Sequence, residues 1–72
     1  MTNTSLLEQY IKNSGYKKGF IAKQIGKTTY GLALKINNKS EFKANEILVL
    51  CKLLKIGAKD KDAIFFANQV DL

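Results

Sequence analysis

Apolar residues recur along this chain at helical spacing in short runs, and glycines or polar clusters separate the runs. Leu6, Leu7, Tyr10 and Ile11 form the first run. Ser5 stands three residues before Glu8, the spacing at which each side chain reaches the other's unpaired backbone N–H at a helix start, and Gly15 is placed to end the helix. The spacing predicts a helix over residues 6–14. Phe20, Ile21, Ala22 and Ile25 give a second one over 17–25, weakened by Gly19 and stopped by Gly26, where glycine adopts a positive φ at little cost. Thr28 or Thr29 caps a third helix whose inward residues are Leu32 and Ile36 and which ends before the polar run Asn37-Asn38-Lys39-Ser40.

Phe42 precedes a fourth helix over 44–54. There Ile47, Leu48, Leu50, Cys51 and Leu54 predict a wide buried stripe, with Glu46 near the positive end of the helix dipole. Beyond Gly57 and Lys59-Asp60-Lys61-Asp62, the run Ala63-Ile64-Phe65-Phe66-Ala67 predicts a short final helix whose two phenylalanines need burial. The sequence has no proline, strand pair, repeat or low-complexity tract. It therefore reads as all-α, five short helices in one domain spanning 1–72.

Composition narrows what such a domain does. Seventy-two residues support one small core and no roomy catalytic cleft. Twelve lysines against six acidic residues give a net charge of +6, which favours an anionic partner. The sequence has no arginine, the residue that most often reads guanine, so any base reading rests on Lys, Asn, Gln, Thr and Tyr. Without histidine there is no Ser-His-Asp triad and no histidine metal site, and one cysteine makes no chelating cluster. The expectation is a protein that is not an enzyme and that uses no metal and no cofactor.

Gly26-Lys27-Thr28 looks like the end of a phosphate-binding loop, but Ile21, inside a helix, occupies the place of the required earlier glycine. Cys51 is expected to be reduced and structural. Residues 1–5 lack the features of a signal peptide, and no window approaches about 18 apolar residues. The apolar faces are all needed for the core, which leaves none for a membrane. A soluble, cytoplasmic protein is expected.

Ala22 and Gly26, four apart, supply the small crossing residue and the turn glycine of a helix-turn-helix, and Leu32 supplies the inward aliphatic six residues later. With Lys35, Ile36, Asn37, Phe42 and Glu46 following, the sequence resembles the phage repressor and Cro family. The likeness runs through Ile64-Phe65-Phe66 and covers nearly the whole chain. Its length, basic balance and lack of arginine also look like the lactococcal-phage modulator-of-repression proteins, small lytic-side partners of a phage repressor. The resemblance implies a compact five-helix lambda-repressor-like domain, with the helix-turn-helix over about 17–36, acting in a bacterial host cell. Two residues depart from the family pattern: Lys27 follows the turn glycine where an aliphatic is usual, and Lys35 leaves the buried role to Ile36.

Carried over by resemblance, the positions that face the major groove are Thr28, Thr29, Tyr30, Ala33 and Leu34. Lys17 and Lys18 stand where a helix start favours a phosphate. Lys27 is a further phosphate candidate, and Asn37, Asn38, Lys39 and Lys43 lie where relatives grip the opposite backbone segment. A face of Tyr30, Ala33 and Leu34 rimmed by Lys27 and Lys35 is poor in hydrogen-bonding edges. Base contacts through threonine hydroxyls and thymine methyls would be weak and dependent on salt, whereas a groove of an acidic protein suits these side chains better. The expected function is therefore a lysis-lysogeny antirepressor that associates with the phage repressor and modulates its operator binding, with possible DNA contact of its own. The alternative is an autonomous Cro-like DNA-binding repressor acting as a homodimer.

Overall fold

A computed structural model of the chain describes residues 1–66. Among them are five α-helices and no strand: α1 (Thr4–Ser14), α2 (Lys18–Gln24), α3 (Thr29–Ile36), α4 (Ala44–Leu54) and α5 (Ala58–Phe65).

The first helix begins two residues before the expected start. Asn3, in extended backbone, accepts from the Leu6 N–H at 3.2 Å and serves as the cap. Ser5 therefore lies inside α1, and Glu8 turns to Lys18 at 2.9 Å instead of closing a capping box. Gly15 ends α1 at φ 78°.

Gly26, at φ 70°, closes α2 through paired bonds, Lys27 N–H to Ala22 O at 2.9 Å and Gly26 N–H to Lys23 O at 3.0 Å. This pattern terminates a helix by satisfying its last carbonyls. Two residues later Thr28 caps α3, its Oγ1 accepting from Gly31 N–H at 3.0 Å. The second and third helices thus form a tight helix–turn–helix pair.

One core joins all five helices. Leu7, Ile21, Ala22, Leu32, Ile36, Leu50 and Ile64 are essentially inaccessible, with Ile11, Ile25, Leu54, Ile56 and Phe65 packed around them. Each of the leucines, isoleucines and Phe65 in this core stabilises the fold by about 1.5–3 kcal/mol relative to an exposed one.

The stripe of α4 differs from expectation, since Leu48 is 59% exposed while Glu46 is buried. Helical spacing accounts for this: Glu46, Leu50 and Leu54 stand four apart on the inward face, and Leu48 lies two residues off it. The last helix starts at Ala58, earlier than expected, with Gly57 as its cap residue. Phe65 is buried and meets Phe42 edge-on at 5.4 Å, but Phe66 stays exposed. Ala67, expected in this helix, lies outside the described residues.

The first residues of the chain strap the bundle together. Asn3 N–H bonds to Ile64 O at 2.6 Å, Thr2 N–H to Asn38 Oδ1 at 2.7 Å, and Thr4 Oγ1 donates to Ile36 O at 2.6 Å. Tyr10 of α1 also donates its hydroxyl to the Asp60 carboxylate of α5. That bond, then burial and the negative charge of Asp60, raise the phenol above its ordinary pKa.

Candidate recognition surface on α2 and α3

The segment that builds the helix–turn–helix pair has one sign of charge. Residues 9–40 contain seven lysines and no acidic residue, whereas 1–8 carry one glutamate and 41–72 hold five lysines against five acids. The entire excess of positive charge therefore belongs to the segment that builds α2, its turn, α3 and their flanks.

Tyr30 is 74% exposed and projects from the first turn of α3, with Thr28 and Thr29 exposed beside it. Ala33 and Leu34 are half-buried, a smaller contribution to this face than expected. The start of α3 lies against α2, where a Cβ on Gly19 would meet Thr29 Oγ1 at 3.4 Å. Lys17, Lys23 and Gln24 are exposed on the α2 side, as are Tyr16 and Phe20, whose rings lie 5.0 Å apart. Sequence reasoning left out Lys23, Gln24 and Tyr16, and it grouped Phe20 with the apolar face of the second helix, whereas Phe20 is 44% exposed. The inward spacing of Ile21, Ala22 and Ile25 could have placed Phe20, Lys23 and Gln24 outside.

Several expected contact residues are committed to the fold instead. Lys35 is only 6% exposed, so it is not a rim residue. Its Nζ sits 3.0 Å from Glu46 Oε1, donates to Glu41 O at 2.8 Å and lies 5.9 Å from the centre of the Phe42 ring. Glu46 in turn accepts from Lys43 N–H at 2.9 Å, and its other oxygen is 3.9 Å from Lys27 Nζ. This cluster clamps the end of α3 to the start of α4. Burial pushes the Glu46 carboxyl up. The Lys43 N–H, the Lys35 hydrogen bond and the two lysine charges outweigh it and hold the carboxyl below its ordinary pKa.

Asn37 and Asn38 are likewise occupied. Asn37 Nδ2 donates to Ala33 O at 3.0 Å, and Asn38 exchanges two bonds with the Thr2 backbone. Lys18 pairs with Glu8. Lys17 is the cap residue of the seven-residue α2, and no side chain caps that helix. Lys17, Lys39 and Lys43 remain exposed. Among the described residues no buried side-chain polar atom lacks a partner, and no group of His, Cys, Asp and Glu is placed to hold a metal ion.

The surface is thus a basic, lysine-studded face from which Tyr30 stands out, with Gln24 and Thr29 among its exposed polar side chains. Comparison with known proteins adds no relative: the chain matches no protein-family model, no curated protein and no solved structure.

Proposed function

We propose that this protein is an antirepressor of the phage lysis-lysogeny type, which binds a repressor protein through the outward face of α2 and α3 and alters its hold on operator DNA. The observation that carries this reading is Tyr30, 74% exposed on a segment with seven lysines and no acid. An exposed tyrosine on a rigid helix is an anchor of the kind that dominates protein interfaces, and the lysines around it match an acidic rim. Base reading is less well served, because the exposed Asn37 and Asn38 direct their amide N–H groups to backbone carbonyls of the protein and Lys35 is buried.

The test is the mass of the complex formed with the repressor of the same phage, measured with and without operator duplex. Association lost on Tyr30→Ala is the expected result; no association of the wild-type chain overturns the proposal.

The acid-free stretch favours a second reading, direct DNA binding in the Cro manner. Phosphate neutralisation by lysine would supply most of that affinity, so it would fall steeply with salt. Titration into the switch-region duplex at two salt concentrations decides it, and an absence of binding at low salt removes it.

A further inference from the structure

Tyr16 and Phe20 are 42% and 44% exposed, and their rings lie side by side at the junction of α1 and α2, with centroids 5.0 Å apart and planes tilted by 34°. Neither ring belongs to the core or to the apolar residues packed against it. Lys17 follows Tyr16 directly, and Lys23 and Gln24 stand three and four positions after Phe20, which puts them on its side of α2. All three are exposed. Beside Tyr16 opens a cavity of about 330 Å³ whose wall includes Asn13, Ser14, Leu53 and the exposed Lys55. No acidic residue occurs between Glu8 and Glu41, and Glu8 is already paired with Lys18 at 2.9 Å.

We infer that this junction binds single-stranded nucleic acid, with unpaired bases stacked on Tyr16 and Phe20 and the linking phosphates met by Lys17, Lys23 and Lys55. Exposed aromatic faces bordered by cations are the two parts such a site needs, since stacking holds the bases and lysine neutralises the backbone. Paired bases keep their faces inside the duplex, so only an unpaired strand can use the rings. The lack of arginine, which handicaps base-edge reading, costs a stacking site nothing because every base has a π-face. The inference goes beyond the proposed function and does not rest on it, as it uses neither Tyr30 nor an acidic protein.

Fluorescence anisotropy of labelled oligothymidylate and oligouridylate, each of about 12 nucleotides, tests the site on the full chain. Binding of either strand supports the inference and tells DNA from RNA. Tyr16→Ala and Phe20→Ala, with unchanged circular dichroism, should each weaken that binding about fivefold or more while leaving any affinity for a duplex as it was. The chain has no tryptophan, so the indole introduced by Phe20→Trp reports contact directly: it should preserve affinity and lose fluorescence when the strand stacks on it. An abasic strand of equal length and charge should bind about fivefold or more weakly than its base-bearing counterpart. The inference is overturned if neither strand binds, if the alanine variants bind like the wild type, or if the abasic strand binds equally well. Polyglutamate of equal charge displacing the strand as effectively as unlabelled oligothymidylate would assign the face to an acidic protein and overturn it too.

Discussion

Lys55, which ends α4, holds a left-handed backbone at φ 57° without being glycine. That conformation costs a residue with a Cβ about 1 kcal/mol. Lys55→Gly should therefore raise the thermal midpoint by about 4–8 °C for a domain of this size. Asn38 has a similar φ of 65°, yet Asn38→Gly should lower the midpoint, because its side chain holds Thr2. Paired melting curves of the two variants check the opposite signs. Removing Glu46 alone, as in Glu46→Ala, strands the buried Lys35 charge and should destabilise by about 3 kcal/mol or more. Lys35→Met with Glu46→Leu should recover most of that loss in urea unfolding. The burial of Lys35 was legible in the spacing, since it follows Leu32 by three residues and so shares its inward face. A lysine on an apolar face is easily read as a rim residue when its partner lies eleven positions away on another helix.

At the scale of elements, the glycine and threonine punctuation was the most readable feature. Gly15, Gly26 and Thr28 end or begin helices where their backbone preferences place them. The starts of α1 and α5 were less legible because Asn3 and Gly57 stand outside the apolar pattern, and Leu48 was misplaced because a run of aliphatics hides which member points away. For α3, the expected surface proved narrower, as Ala33 and Leu34 tuck partly against the bundle while Tyr30 stands clear. Tyr30→Ala should leave the melting temperature within about 2 °C, as exposed substitutions do, while reducing repressor association. Calorimetry and complex mass read the two effects separately. The α3–α4 clamp responds to acid with a definite sign. Because Glu46 is held below its ordinary pKa in the fold, its contribution is complete above the unfolded value near about 4.3 and fades as pH falls through the folded value. Urea midpoints measured from pH 7 to 3 should drop for the wild type and change less for Glu46→Gln.

For the whole molecule, the division of charge matters more than its total. The count of +6 was plain in the composition, but its uneven distribution was not: residues 9–40 hold seven lysines and no acid, whereas the lysines of 41–72 are matched in number by acids. Reversing Lys17 and Lys23 to glutamate should slow association with an acidic partner about tenfold and flatten its salt dependence, read by stopped-flow at two ionic strengths. No helix among the described residues is long and apolar enough to cross a membrane. The strap formed by residues 2–4 has a consequence for how local opening spreads through the fold. Asn3 bonds to Ile64 while Thr2 bonds to Asn38, so one short segment is held by α5 and by the turn after α3 together. Fraying of α5 therefore loosens the same segment that tethers the end of α3.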